Sequence, residues 1–204
     1  MPEFWNSLLT EKSWNLLIKI SKEPFKFIVI GGWAVYLWVK LHKSKDIDIA
    51  LADINELDYL RQYTLKKNDT LRKYEIIFDE IDVDIYVPYF SKLTIPVEDL
   101  TAYTAEVEGF TVLKPEPLLI LKQGAELDRK ESVKGTKDRI DIMALLFYAD
   151  MNFKMYFDLL EKYKLENYFP RLKTIINNFK EYNYLGLNPR QFKVKKNELL
   201  KKVR

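Results

Sequence analysis

Two aspartates one residue apart, Asp46 and Asp48, stand in the run Asp46-Ile47-Asp48-Ile49. Side chains of a strand alternate between faces, so both carboxylates lie on one face at a spacing of roughly 7 Å while Ile47 and Ile49 enter the core. Like charges held together repel, and a divalent cation between them turns that repulsion into a binding site. The chain has no cysteine and one histidine, which excludes thiolate metal sites and leaves oxygen donors, the set that suits Mg2+ or Mn2+. Upstream, Gly31-Gly32 interrupts the apolar run Phe25 to Ile30, and Trp33 to Leu41 then repeats apolar residues at helical spacing. The reading is strand, tight turn, helix. The first N–H groups of such a helix have no partner within it and attract anions, and glycine lets a phosphate come close to the backbone.

A second acidic strand follows at Ile81 to Val87, with Asp82 and Asp84 on one face and Val83, Ile85 and Val87 on the other. Gly31, Gly32, Ser44, Asp46, Asp48 and this later strand together resemble the nucleotidyltransferase fold of the DNA polymerase β-like superfamily, whose pattern is a G-G or G-S turn, a short helix and Asp-x-Asp. The resemblance implies that Asp46, Asp48 and Asp84 are catalytic and ligate the metal, with Asp82 the alternative third ligand. It implies that Gly31, Gly32 and Ser44 hold the triphosphate. The reaction implied moves a nucleoside monophosphate from a nucleoside triphosphate such as ATP to an acceptor hydroxyl on RNA (tRNA included), protein or a small molecule, releasing pyrophosphate. One position departs from the pattern: where the family often has Arg two residues before the Ser or Thr, this chain has His42, with Lys43 and Lys45 nearby.

Farther on, Lys122, Lys137, Asp138 and Asp141, with Asp128-Arg129 between, resemble the region in which abortive-infection and related stand-alone nucleotidyltransferases bring a lysine and a K-D-x-x-D pattern to the nucleotide. That resemblance places Lys122, Lys137 and Asp141 at the nucleotide and carries an association with toxin-antitoxin pairs. Read from the residues alone, the same charges are ordinary helix-surface pairs. A reading of a different class is a non-catalytic binding module, such as an antitoxin or a regulatory subunit. Three clustered acids favour the enzyme.

The elements that must position these residues follow from periodicity. Phe4 to Ile20 reads as a helix with a break near Thr10-Glu11, closed by Pro24, and Ile54 to Lys66 reads as a helix capped by Asp53 or Asn55. Arg72 to Phe78 and Ile81 to Val87 form one hairpin, and Tyr103 to Val107 and Phe110 to Leu113 a second. From Pro115 the composition turns helical: Pro117 to Glu126, Thr136 to Tyr148, Phe153 to Tyr163, Glu166 to Tyr182 and Pro189 to Lys202. The fold class expected is α+β, a small mixed sheet with flanking helices followed by a helical C-terminal part, divided as residues 1–113 for the core and 114–204 for the helical region.

Apolar content of 48% argues against disorder, and 204 residues are enough to bury a core. The net charge of +3 does not by itself announce nucleic-acid binding, and the basic C-terminal run Lys193, Lys195, Lys196, Lys201, Lys202 and Arg204 reads as a solvated face. No signal peptide and no membrane-spanning apolar run is evident, so a cytoplasmic protein is expected. The partners expected are a nucleoside triphosphate and its acceptor, with no membrane and with a partner protein or homodimer left open.

Overall fold

The run Phe27–Ile30 has almost no polar face to turn to solvent, and it forms an interior strand, β1. The computed structural model describes residues 7–203 and divides into two units, Met1–Lys114 and Pro115–Arg204. The first unit holds a seven-stranded mixed sheet. Its strands are β1, β2 (Ile47–Leu51), β3 (Lys66–Asn68), β4 (Lys73–Phe78), β5 (Ile81–Tyr86), β6 (Thr104–Val107) and β7 (Phe110–Leu113), in the order β3-β4-β5-β2-β1-β7-β6. The β2–β5 and β1–β7 pairs are parallel and the rest antiparallel. Helices α1 (Ser7–Ile20), α2 (Gly31–Val39) and the single turn α3 (Leu57–Leu60) complete this unit. The molecule is therefore α+β, with a mixed sheet, flanking helices and a helical second unit.

Alternation sorts the faces of the sheet. Ile47, Ile49, Ile76, Val83 and Ile85 are at most 4% exposed and share one face. Ile20 of α1 and Leu60 of α3 close over that face, leaving a gap of about 20 Å³. Each such side chain contributes roughly 1.5–3 kcal/mol when fully buried. The other face carries Asp48, Asp84, Glu75 and Lys73 and remains polar.

Several elements differ from the periodicity reading, each for a local reason. Helix α1 runs unbroken through Thr10-Glu11, because Thr10 and Ser13 are buried on its packed side; Phe4 lies outside the described residues. The helix expected over Ile54 to Lys66 shrinks to a 3₁₀ turn, Ile54–Glu56, and α3, with the Asp53 carboxylate accepting from Asn55 N–H at 2.8 Å. The segment behind it leaves the helix to pair Lys66–Asn68 with β4, an edge strand too short and polar to register as a pattern. No separate turn divides β1 from α2, since the glycines themselves are the first residues of the helix.

The second unit contains α4 (Pro115–Arg129), α5 (Val133–Tyr148), α6 (Phe153–Lys162), α7 (Tyr168–Asn178) and α8 (Pro189–Lys202). The Asn188 side chain caps α8, accepting from Gln191 N–H at 2.9 Å while the Gln191 side chain accepts from Asn188 N–H at 2.9 Å. Helix α7 ends at Asn178, short of the expected Tyr182, where Phe179 turns extended and a 3₁₀ turn, Tyr182–Leu185, follows. No helix among the described residues is long and apolar enough to cross a membrane.

Gly135 fixes how closely α5 can follow α4. A Cβ at this position would sit 2.3 Å from the Arg129 carbonyl oxygen and 3.0 Å from Lys130 Cα, both backbone atoms with little room to move. In an exposed helix, Gly→Ala gains roughly 1 kcal/mol. Gly135→Ala should instead lower stability by about 1–3 kcal/mol in urea denaturation, as overpacking does. A variant as stable as the wild type would show that this joint is slack.

Candidate active site

The register of the sheet decides which acids meet. Asp48 on β2 lies opposite Asp84 on β5 in a parallel pair, and residues opposite one another on adjacent strands share a face. The row continues to Glu75 on β4, opposite Asp84, and to Lys66 on β3, opposite Glu75. On its other side Asp48 lies opposite Ile30, the residue from which α2 springs. Asp46 stands one residue ahead of β2 and not within it, half-buried, because the ladder with β1 stops at Ile30 and Asp48 where α2 begins. Asp82, the alternative third acid, is exposed and pairs in register with Ile77.

Gly31 and Asp48 are in direct contact. A Cβ on residue 31 would come within 2.0 Å of Asp48 Oδ2, and Gly31 adopts φ of +64°, a conformation that glycine alone adopts at little cost. The carboxylate thus rests against the start of α2, where backbone N–H groups and the helix dipole supply positive potential. Helix α2 is held firmly. Trp33 is fully buried and donates from Nε1 to Ser13 Oγ at 2.9 Å, and Trp38 Nε1 donates to the Leu113 carbonyl at 2.9 Å. Gly32 is buried in its first turn, and Ser44, on the loop that returns to β2, is 3% exposed. Lys43, one of the cations beside His42, is held by Glu11 at 2.5 Å.

Burial and the charge of Asp48 push the Asp84 carboxyl up to about 6, against the opposing pull of Lys73. Lys73 Nζ lies 2.6 Å from Asp84 Oδ2 and 3.2 Å from Glu75 Oε1. Burial works to lower the Lys73 ammonium, but its bonds to Asp84 and Glu75 outweigh burial and hold it above its ordinary range. Burial likewise raises Glu75, and the hydrogen bonds from Asn68 and Lys73 bring it below the usual carboxylate range.

The Asp48–Asp84 pair fits a hard divalent cation in one respect and not in another. Among the described residues no group of three or more His, Cys, Asp or Glu side chains could hold a metal ion, so this is no all-protein cage. Magnesium, however, is typically bound by one or two carboxylates completed by substrate phosphates and water. Two facing carboxylates supply the donors such a site needs, and a cation between them would relieve their repulsion. A separate cleft of about 310 Å³, lined by Phe25, Lys26, Phe27, Thr104 and Thr111 among others, contains none of the aspartates.

In the second unit Lys122 is 7% exposed, with Nζ 2.6 Å from Asp141 Oδ2 and 3.4 Å from Asp138 Oδ1. Arg129 completes Asp138, from Nε at 2.7 Å and Nη2 at 3.0 Å. Lys137 is half-buried on α5. Two of the three residues that the resemblance puts at the nucleotide, Lys122 and Asp141, thus tie α4 to α5 as a buried ion pair. Glu126 does similar work between Arg139 and Arg171.

No protein-family model and no curated protein matches the chain. Solved structures similar to it are nucleotidyltransferase-like. A proposed nucleotidyltransferase from H. pylori is 17% identical with a TM-score of 0.48, the match covering 97% of this chain and 96% of that one. JHP933 from Helicobacter pylori is 15% identical over 98% and 94%, with a TM-score of 0.47. The lincosamide antibiotic adenylyltransferase LnuA, solved with lincomycin bound, is 15% identical over 69% and 96%, with a TM-score of 0.45.

The pattern reading missed Lys73, Glu75 and Asn68. The signal was present in the hairpin: a turn at Asp79-Glu80 pairs Phe78 with Ile81, and counting back along both strands puts Glu75 opposite Asp84. The Asp84 shift makes a checkable statement. Folded protein keeps this proton up to about pH 6, whereas the unfolded chain releases it near 4, so the folded state loses stability as pH rises through that interval. Asp84→Asn, which cannot ionise, should match the wild type near pH 4 and exceed it at pH 7 by on the order of 2 kcal/mol in urea denaturation. A wild type that is the more stable at pH 7 would contradict the charge assignment.

Proposed function

We propose that the chain is a metal-dependent nucleotidyltransferase that moves a nucleoside monophosphate from a nucleoside triphosphate to an acceptor hydroxyl. The observation that carries the reading is the facing pair Asp48 and Asp84, seated against Gly31 at the positive end of α2. In this reading Asp48 and Asp84 would hold Mg2+ or Mn2+ together with substrate phosphates, and Asp46, one residue ahead of β2, would join them only if it moved toward the pair. When bound, the cation neutralises phosphate charge and lowers the pKa of the acceptor hydroxyl. Gly31 and Gly32 would let phosphate oxygens approach the first N–H groups of α2, and Ser44 is the further candidate for the triphosphate. The acceptor oxygen bonds to the α-phosphorus, and the bond from that phosphorus to the oxygen bridging to the β-phosphate breaks. Pyrophosphate leaves with the electron pair, and the acceptor proton passes to solvent. RNA, protein and small-molecule hydroxyls are the acceptors open to this chemistry.

One observation favours a non-catalytic binding module instead: Asp84 already has a cation, Lys73, on one oxygen, and no third acid closes the group among the described residues. Transfer assays separate the two. Purified protein, Mg2+ or Mn2+, each α-labelled nucleoside triphosphate and a cell extract supplying RNA, protein and small molecules should move label into one acceptor class. Asp48→Asn and Asp84→Asn should each cut the rate by at least about 100-fold. Nucleotide binding without transfer to any acceptor would overturn the enzyme in favour of the module.

A further inference from the structure

The polar face of the sheet carries more than the acids the proposed reaction needs. Asn68 on β3, Glu75 and Lys73 on β4 and Asp84 on β5 form an unbroken chain of contacts across three adjacent strands. The Asn68 carboxamide has a definite orientation: its oxygen accepts from Leu71 N–H at 3.0 Å, which leaves its nitrogen to donate to Glu75 Oε1 at 3.0 Å. The same Glu75 oxygen holds Lys73 Nζ at 3.2 Å, and Lys73 reaches Asp84 Oδ2 at 2.6 Å. The three charged side chains are shielded, at 13% exposure for Lys73, 19% for Glu75 and 18% for Asp84. Register places the links, since Asn68 lies opposite Lys73 and Glu75 opposite Asp84.

We propose that Asn68, Glu75 and Lys73 are a positioning relay that pins Oδ2 of Asp84 and thereby presents Oδ1 to the divalent cation. The inference rests on the cation site of the proposed function and adds the residues that orient it. Rotation of a carboxylate about its last side-chain torsion is broad and roughly two-fold, so an unpinned Asp84 would sample many orientations beside Asp48. A charge-assisted bond to one oxygen removes that freedom. Lys73 occupies Oδ2, so Oδ1 is the oxygen this arrangement offers to a ligand. The relay also gives the short edge strand β3 a purpose: it anchors Asn68, and through it the whole chain. Lys73 is a positioning residue here, acting on the cation only through Asp84.

Charge and positioning predict opposite signs, which makes the idea testable by binding alone. Removing a positive charge beside a cation site strengthens cation binding, whereas releasing a ligand from its outer partner weakens it by 10- to 100-fold in typical sites. Mn2+ binding is measured by electron paramagnetic resonance of the free ion, on wild type, Lys73→Met, Lys73→Arg, Asn68→Ala and Asp48→Asn, each first shown to be folded by its thermal transition. The relay predicts that Lys73→Met weakens Mn2+ binding about 10-fold, that Asn68→Ala weakens it by less although no charge changes, and that Lys73→Arg restores most of it. Lys73→Met binding Mn2+ as tightly as wild type, or more tightly, overturns the relay. Asp48→Asn tells the two failures apart: wild type binding no better than Asp48→Asn means that the cation site itself is wrong, and the relay falls with it. Asp48→Asn binding weakly beside an unimpaired Lys73→Met means that the relay alone is wrong.

Discussion

Two carboxylates are forced side by side because β2 and β5 run parallel in a register that sets Asp48 opposite Asp84. Neither strand can slip to relieve the repulsion. A one-residue shift would turn Ile47, Ile49, Val83 and Ile85, all at most 2% exposed, toward the polar face. The apolar face therefore enforces a charge arrangement that costs stability on the other. Asp84, lifted to about 6 by burial first and by the charge of Asp48 second, is where part of that cost appears, and Lys73 offsets only some of it. Much of the remaining architecture serves the same spot. Tryptophans on both sides of α2 hold the helix whose first residue, Gly31, has no side chain to displace Asp48.

The second unit treats charge differently. There the buried Lys122, Asp138 and Asp141 pair with one another and with the exposed Arg129, and separately the buried Glu126 pairs with the half-buried Arg139 and Arg171, each close enough to satisfy its partner. Removing one member would leave its partner as an uncompensated buried charge, which is costly, although the intact network need not add net stability. In the first unit, by contrast, Asp84 faces a second acid, Asp48, on the neighbouring strand, and this is the pair on which the proposed reaction rests.

The strands that carry apolar runs or alternation, β1, β2, β4, β5, β6 and β7, could all be read from the residues, as could most of the helices after Pro115. What could not be read has a common physical character. β3 is Lys66–Asn68, three polar residues on a sheet edge whose existence depends on a partner strand and not on its own pattern. Helix α3 is cut to one turn by that same pairing. At the site, the Asp-x-Asp spacing and the glycine pair locate Asp48 and Gly31, but which acid faces Asp48 is a matter of strand order and register. Composition and periodicity do not contain that information: Asp82 and Asp84 have the same strand context. Lys73 was hidden for a further reason, since a lysine two residues from a glutamate on a strand looks like ordinary surface until hairpin pairing sets it beside Asp84.

The central claim is that Asp48 and Asp84 form one cation site against the start of α2, and locating a bound ion tests it most directly. Crystals soaked in Mn2+ with a non-hydrolysable nucleoside triphosphate analogue, measured at a wavelength where manganese scatters anomalously, would show where the ion sits. The account predicts an anomalous peak within coordination distance of both carboxylates, with the analogue's phosphates against Gly31 and Gly32. Manganese bound elsewhere, with Asp84 still closed on Lys73, would contradict it.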